Sequence, residues 1–573
     1  MIKKWILHQS DPELVALFSK HLPISSRLAA LMVNRGIEDL DEAKQFVSGS
    51  LKDLPSPFLM KDMKKAVDRL VVAIERRESI TVYGDYDVDG VTATSCLLNF
   101  FRELGVPAGY HIPHRLKEGY GLHVEALKEI HQKGGRVVIT ADCGISNVNE
   151  AIAASQLGID LIITDHHIVP PDLPEAHAVL NPLRKDSDYP DLNLAGVGVV
   201  FHLMMALRAR LRQIGYFENR HEPNLKHYLD LVALGTIADL VPLRGVNHIL
   251  VKEGLKVLSE RQRVGLRSLI VVSEITKEQL GTYEVAFQLA PRLNAGGRVA
   301  SAEIGVKLLT TDDEEEALRL SQTLDSENKK RRFLQEEILH QAVSQIEKAG
   351  YDQARRSFVL SSPTWHPGVI GIVASKLVEK YHRPACLIAE QEAVGTVSLA
   401  RGSARGIPAL HLLDAFRELK DHFVNFGGHK AAAGFSIERQ HIGSFREAFE
   451  KLVSQRLSEE DFIPKIKVDM KIAMDEVDQG LLTEIDQLAP FGMGNPEPIF
   501  ISDGFKVSHF SVVGKSHLKL RLEGRSCIRE AIGFQMAQFF SDAAKIKAVL
   551  YTPSVNEWQG RRSIQLKLKQ VSF

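Results

Sequence analysis

Between about residues 61 and 310, short apolar runs alternate with longer segments whose apolar residues recur at helical spacing. SITVYG at 79–84 leads into VTATSCLLNFFREL, RVVITAD at 136–142 into NVNEAIAASQLG, and DLIITD follows at 160–165. Strand-like runs separated by amphipathic helices predict an α/β fold with a doubly wound parallel sheet, because parallel strands need helical crossovers. Upstream, residues 1–60 read as an N-terminal helical segment (SSRLAALMVNRG, LDEAKQFV) that closes at Pro55 and Pro57. Residues 311–350 have neither Pro nor Gly before Gly350, with acids early and bases later, which predicts a long connecting helix. Alternating strands and helices with glycine-rich turns return over 351–455. From 456 to 573 the pattern changes to short strands of period two (HLKLRL, IQLKLK), as in a small β-barrel.

Composition narrows the class. A chain of 573 residues exceeds one compact domain, and 44% apolar with 25% charged residues is ordinary for globular proteins. With 71 Lys and Arg against 72 Asp and Glu, any nucleic-acid contact must come from local basic patches. Cys96, Cys143, Cys386 and Cys527 lie far apart without a C-x-x-C pair, which supports neither a disulfide framework nor a zinc ribbon. The apolar run Leu194–Leu207 is broken by His202 and falls short of a membrane span, and the first residues lack a signal-peptide core. A reduced cytoplasmic location without membrane association is the expectation.

The chemistry-bearing residues gather at predicted strand ends. One strand runs into GDYDVDG, bringing Asp85, Asp87 and Asp89. Another delivers Asp142, and a third delivers Asp165, His166 and His167. In an open parallel sheet the carboxyl ends of the strands line one edge, where ligands bind. So many carboxylates in one crevice repel unless cations neutralise them. Oxygen ligands suit Mg²⁺ or Mn²⁺, the imidazole favours Mn²⁺, and the ligand number accommodates two ions, as in phosphoester hydrolysis. An EF-hand calcium loop fits poorly, since Cys96 occupies the position of the bidentate Glu and a strand precedes the loop. A dinucleotide fold would need G-x-G-x-x-G where these acids stand.

GDYDVDG, TADCGIS, TDHH and GTIADLVPL, in this order, resemble the four motifs of the DHH phosphoesterase family. IPHRLKEGYGL, NPLR, LAGVGV, APRLNAGGR, WHPGVIGIVASKLVEKYHRP, FGGHKAAAGF and LAPFGMGNPEPIF are similar to its RecJ branch of single-strand-specific exonucleases, across nearly the whole chain. One departure is GSARG at 402–406, where RecJ proteins tend to show a GSGRS-like turn. The resemblance implies a DHH catalytic domain over 61–310, a DHHA1 domain over 351–455 and an OB-like nucleic-acid-binding barrel over 456–573. It implies two Mn²⁺ or Mg²⁺ ions held by Asp87, Asp89, Asp142, His166 and Asp239, with Asp85 in or beside the set, Asp142 bridging, and His167 facing the scissile phosphate. The same family pattern gives a 5'-phosphate pocket from Ser403, Arg405 and Arg115, with Arg298 nearer the metals.

In FGGHKAAAGF, Gly427 and Gly428 allow close backbone approach and His429 can donate to a phosphate. A helix of alanines capped by glycine is the bland alternative. Lys519, Arg521, Lys567 and Lys569 alternate with leucines, which on a strand places bases on one face and apolar side chains in the core. The implied activity is 5' to 3' degradation of single-stranded DNA to 5'-mononucleotides in recombination and repair. Partners would be a helicase and a single-strand-binding protein, and the enzyme would be a monomer. Rival readings are a DHH phosphodiesterase acting on short oligonucleotides or cyclic dinucleotides, and a non-catalytic DHH replication scaffold.

Overall fold

The computed structural model describes residues 3–114, 118–299, 301–390, 399–558 and 561–573. The chain forms two compact units. The larger is built from 5–294, 302–321 and 467–573, and the smaller from 322–466 with short pieces 1–4 and 295–301. The connecting helix, Glu314–Lys348, begins in the larger unit and ends in the smaller.

At the centre of the larger unit lies a five-stranded, wholly parallel sheet. Its spatial order is Ala108–His111, Ser79–Gly84, Gly135–Ala141, Asp160–Thr164, Ala178–Leu180. In chain order this is 2-1-3-4-5, so the winding reverses between the first and third strands. Tyr83, Val138, Leu161 and Ile163 pack on one face with helices Val124–Gln132 and Val148–Gln156. Helices Met63–Arg76, Val88–Glu103 and Gly196–Gln213 cover the other. With both faces covered, the strands are near-continuous apolar runs rather than alternating ones.

The C-terminal part of this unit is a seven-stranded sheet in the order Met470–Lys471, Phe500–Asp503, Ala548–Trp558, Arg561–Ser572, Ile528–Gly533, His517–Glu523, Lys506–Val513. Helices Pro12–His21, Ser26–Val33 and Leu40–Ser48, within the expected N-terminal helical segment, share its core: Phe18, Leu28, Leu31 and Phe46 join Phe500, Leu518, Leu520, Tyr551 and Leu566 in one apolar cluster. Buried Arg35 fixes the junction, donating to Asn495 Oδ1 at 2.8 Å and to the Pro496 carbonyl at 2.7 Å. The sequence gives no local sign of this packing, which joins segments more than 400 residues apart.

In the smaller unit the sheet order is Asn425–Gly428, Ala432–Glu438, Leu399–Arg405, Ala385–Glu390, Phe358–Ser362, with the last pair parallel and the rest antiparallel. Helix Ile370–Tyr381 and the end of the connecting helix (Ile338, Ala342, Ile346) pack on one face. A phenylalanine-rich cluster around Phe416, Phe445 and Phe449 packs on the other.

Candidate metal centre

Hydrogen bonds that prolong the central sheet past its strands bring the carboxylates to one edge. The amide of Asp85 donates to the Ala141 carbonyl, that of Asp142 to Thr164, and that of Asp165 to Leu180, at 3.0–3.1 Å. Asp85 and Asp142 therefore emerge side by side at the switch point, the position where open α/β sheets bind ligands. Asp142 has φ 69°, a left-handed conformation uncommon for a residue with a side chain. Asp87 caps helix Val88–Glu103 by accepting from the Gly90 amide at 3.1 Å. Asp89, buried in the first turn, accepts from the amides of Gly196 and Val197 at 2.6 and 2.9 Å. The start of helix Gly196–Gln213 thus faces the acidic cluster with its positive end.

Three groups of potential ligands overlap here: Asp85, Asp87 and Asp142; Asp89, His166 and Asp239; Asp142, His166 and His167. His166 Nε2 stands 3.2 Å from Asp142 Oδ1, 3.4 Å from Asp239 Oδ2 and 3.9 Å from Asp89 Oδ2. Asp239 follows helix Leu229–Ala238, which is apolar on all sides and gives no strand-end signal; only the family resemblance had pointed to it. Glycines permit the crowding. A Cβ on Gly196 would lie 2.6 Å from both Cβ and Oδ1 of Asp142, and one on Gly235 would lie 2.9 Å from Asp89 Oδ1.

The electrostatics are those of a cation site. Burial and neighbouring Asp87 raise Asp89 to about 7, and burial with Asp89 and Asp87 raises Asp239 to about 8. Burial and the surrounding carboxylates push Asp142 well above the usual range. Burial, and then the charge on His167, lower His166 to about 4, which leaves a neutral imidazole, the form that ligates metals. Asp142 Oδ1 and His166 Nε2 are buried and make no hydrogen bond among the described residues. Such atoms are costly unless a partner arrives. Carboxylate oxygens with one neutral imidazole fit Mg²⁺ or Mn²⁺.

Asp165 does something else. Fully buried, it accepts from the amides of Ile145, His166 and His167, and its Oδ1 lies 2.7 Å from His167 Nδ1. Burial opposes a charge on His167, but this bond and the Asp165 charge prevail and raise it to about 9. The Tyr120 hydroxyl lies 3.1 Å from the same Nδ1, and the Asn181 amide donates to the His167 carbonyl at 2.9 Å. Asp165 stood among the strand-end carboxylates read from sequence, without this orienting role; Tyr120, Asn181 and Gly196 were not singled out, although all three lie in motifs that had been noticed.

In the smaller unit, Ser403 and Arg405 share one face of strand Leu399–Arg405, and Arg405 Nη1 donates to Ser403 Oγ at 3.1 Å. The start of helix Ile370–Tyr381 adjoins them, since a Cβ on Gly371 would be 2.9 Å from Ser403 Oγ and 3.1 Å from Arg405 Nη2. FGGHKAAAGF is a β-hairpin, not a capped helix: Gly427 pairs with Gly434, and the His429 amide donates to the Ala432 carbonyl at 2.8 Å. Gly428 has φ 149° and leaves only 2.4 Å to the Ala432 carbonyl for a Cβ, so no other residue fits. Gly427 opens onto free space, and His429 is exposed. Arg115 lies outside the described residues, as does the side chain of Arg298, whose backbone is in helix Ala290–Val299.

On the C-terminal sheet Leu518, Leu520 and Leu522 are buried while Arg521 is exposed. Register aligns Lys519, Ile532 and Lys567 across three adjacent strands, and Arg521, Glu530 and Gln565 beside them. Lys519 is partly neutralised by Glu530 at 2.9 Å.

Comparison with known proteins agrees with this geometry. The sequence matches the N-terminal domain of the DHH family over 79–236, the DHHA1 domain over 355–455 and the RecJ OB domain over 468–570. It is 36% identical over 574 residues to the single-stranded-DNA-specific exonuclease RecJ of Bacillus subtilis, covering 99% of this chain and 71% of that protein. The chain belongs to the RecJ family. The crystal structure of Thermus thermophilus RecJ with Mn²⁺ superimposes with TM-score 0.83 at 29% identity, over 100% of this chain and 79% of that one. The Mg²⁺ complex of the same protein gives 0.76 at 28% identity, over 99% and 78%. The family's DHH, DHHA1 and OB parts are thus all present in this RecJ-family chain, in the order expected from its motifs.

Proposed function

We propose that this chain is a single-stranded-DNA-specific exonuclease that works from the 5' end, releases 5'-mononucleotides and serves DNA recombination and repair. The observation that carries the reading is the convergence of Asp85, Asp87, Asp89, Asp142, His166 and Asp239 on one crevice, where Asp142 Oδ1 and His166 Nε2 are buried without a hydrogen-bond partner among the described residues. These residues would hold two Mn²⁺ or Mg²⁺ ions, with Asp142 in the shared role that the resemblance implies; Asp142 and His166 each belong to two of the ligand groups. Such ions supply a nucleophile from water at neutral pH and stabilise charge on the phosphoryl oxygens.

The protein's own groups do the rest. His167, protonated at neutral pH and held by Asp165, places a cationic donor beside the crevice for the scissile phosphate. Ser403, Arg405 and the start of helix Ile370–Tyr381 would anchor a terminal 5'-phosphate, since a guanidinium fork, a hydroxyl and a helix N-terminus all favour that anion. Arg115 keeps the terminal-phosphate role that the resemblance implies, while Gly427, Gly428, His429 and Arg298 would bind the backbone, and Lys519, Arg521 and Lys567 the strand beyond it. In this scheme the functional parts are 61–310 for catalysis, 351–455 for the terminal phosphate and 456–573 for strand binding, with 1–60 and 311–350 as support. A monomeric cytoplasmic enzyme supplied with single strands by a helicase and a single-strand-binding protein completes the reading.

The test is digestion of an end-labelled single strand with Mn²⁺ or Mg²⁺, for the parent and for Asp142→Ala. Mononucleotide release from the 5' end, abolished in the variant while strand binding persists, is expected. Near-normal turnover in Asp142→Ala would refute the two-ion assignment.

A further inference from the structure

One sheet face in the smaller unit is only partly covered. Helix Ile370–Tyr381 lies on it over strands Phe358–Ser362 and Ala385–Glu390, where Phe358, Ala385, Leu387 and Ala389 are buried. Beyond them, strand register sets the side chains of this face in rows. Arg405 lies beside Ala432, Ser403 beside Gly434 and Gly427, and Arg401 beside Ser436 and Asn425. The middle row is almost bare past Ser403, because a Cβ on Gly427 or Gly434 would meet nothing within 4 Å. Glycine inside a strand forgoes packing and often marks the close approach of a ligand.

The last row is made of donors. Arg401 and Asn425 are exposed, Ser436 is half-buried, and none of these side chains bonds to another among the described residues. No residue in the rows is acidic, and Ala385, Leu387 and Ala389 continue them on the next strand. The rows also have a direction. The hairpin turn that carries His429 closes beside Arg405 and Ala432, where the Gly406 amide donates to the Ala431 carbonyl at 2.9 Å. A strand whose backbone lies on that turn, and whose 5'-phosphate reaches Arg405 and Ser403, therefore points along the bare row toward Arg401. Residues two apart on one strand are separated by about 6.5 Å, so Arg401 stands one step beyond the terminal phosphate. A guanidinium, an amide and a hydroxyl in a row without carboxylates suit an anion.

We propose that Arg401, Ser436 and Asn425 form a subsite for the outer phosphates of a 5'-di- or triphosphate end, so that strands ending in a polyphosphate are substrates alongside those ending in a monophosphate. The proposal rests on the reading of Ser403 and Arg405 as the terminal-phosphate pocket. Hydrolysis leaves the extra phosphates intact. Water adds to the phosphorus of the second nucleotide, the bond from that phosphorus to the 3'-oxygen of the first nucleotide breaks, and a proton from the water goes to the leaving oxygen. The first product from a triphosphate end is then a nucleoside triphosphate, and each later one a 5'-mononucleotide. An internal phosphate of the same strand would reach Arg401 only if the chain doubled back over the rows that its own end occupies.

The experiment titrates one single-stranded DNA oligonucleotide, bearing a 5'-hydroxyl, a 5'-monophosphate or a 5'-triphosphate, into the parent, Arg401→Ala, Asn425→Ala/Ser436→Ala and Arg405→Ala. Chelator is present, so binding is read without hydrolysis. The parent should bind the triphosphate end at least as tightly as the monophosphate end. Arg401→Ala should lose about tenfold on the triphosphate end, the scale of one charge-assisted contact, and match the parent on the other two, which also shows that it is folded. The Asn425 and Ser436 pair should show a smaller loss confined to the same end. A parent that binds the triphosphate end no better than the hydroxyl end would overturn the proposal. So would a loss in Arg401→Ala that is absent, or equal on all three ends as an internal phosphate contact would give. Arg405→Ala should weaken both phosphorylated ends; if it weakens neither while Arg401→Ala stays selective, the terminal pocket is refuted and the subsite stands. A parent with this selectivity that hydrolyses nothing with Mn²⁺ or Mg²⁺ would likewise support the subsite and refute the exonuclease reading instead.

Discussion

Asp165 Oδ1 lies 2.7 Å from Nδ1 of His167, two residues along, and the same oxygen accepts from the amides of His166 and His167. A buried carboxylate with this many donors stays charged, and burial notwithstanding its pKa is lowered. It consequently keeps His167 cationic beside the metal centre while making no direct claim on a metal.

Replacing Asp165 with Asn should remove that charge and return His167 toward neutrality. Turnover should fall by about 10²-fold or more, the scale of losing a positioned donor, and the pH at which activity declines should move down. Mn²⁺ binding measured by calorimetry should change far less, since Asp85, Asp87, Asp89, Asp142, His166 and Asp239 remain. Loss of activity without movement of the pH profile would mean that Asp165 only supports the backbone.

Gly196→Ala tests how tightly the centre is packed. The new methyl would come within 2.6 Å of Asp142, which cannot retreat because its own backbone is pinned to Thr164. Displacement of the shared carboxylate should weaken Mn²⁺ binding at least tenfold, with a stability cost of about 1–3 kcal/mol from overpacking. A wild-type titration would show that the helix start can shift.

The metal-free protein should lose stability as pH rises above about 6.5. Asp89 and Asp239 titrate near 7 and 8 in the fold, against about 4 in an unfolded chain. The folded state then holds protons that the unfolded state has released, so these two groups lower stability between about pH 4 and pH 8, while His166, lowered to about 4, acts in the opposite sense up to about 6.5 and leaves the fall to be read above that pH. His167, raised to about 9, acts in the same sense as the two carboxylates: its contribution is full below about 6.5 and lost through 9. Melting of chelator-treated protein should therefore occur at a lower temperature at about pH 8 than at about pH 6, and Mn²⁺ should restore more at the higher pH. A flat profile would contradict the crowding of these carboxylates.

Arg405→Ala should reduce the preference for a 5'-phosphorylated over a 5'-hydroxyl end, because a charge-assisted fork is removed. Paired kinetics on the two ends read this directly. An unchanged ratio would place the terminal pocket elsewhere.

On the barrel, neutralising Arg521 and Lys567 should lower the slope of log affinity against log salt by about 0.7 for each phosphate that is no longer neutralised. Lys519 should add less, since Glu530 already offsets part of its charge. Long strands should be degraded more slowly, and substrates too short to reach the barrel nearly as before. Equal losses on both lengths would make this a solvated structural face.

Much of the centre was legible locally. Strand ends with acids directly behind them can only deliver those acids to the carboxyl edge of a parallel sheet, so Asp85, Asp87, Asp89, Asp142 and His166 were accessible to pattern reading. Asp239 was not, because its helix is apolar all round and carries no directional signal. Asp165 stood in view beside the histidines, but a carboxylate that ligates and one that orients have the same local sequence.

Local pattern alone therefore set the class of the fold, the order of its parts and the acidic edge, since periodicity and turn chemistry act over a few residues. What depends on distant segments meeting was settled by packing. It placed Phe18, Leu28, Leu31 and Phe46 in the core of the C-terminal sheet and the start of helix Gly196–Gln213 on Asp89. It also formed an aromatic cavity where Leu240, Tyr283 and Met493 meet. Each of these joins side chains whose separation along the chain carries no periodic signal, so only the packed core could bring them together.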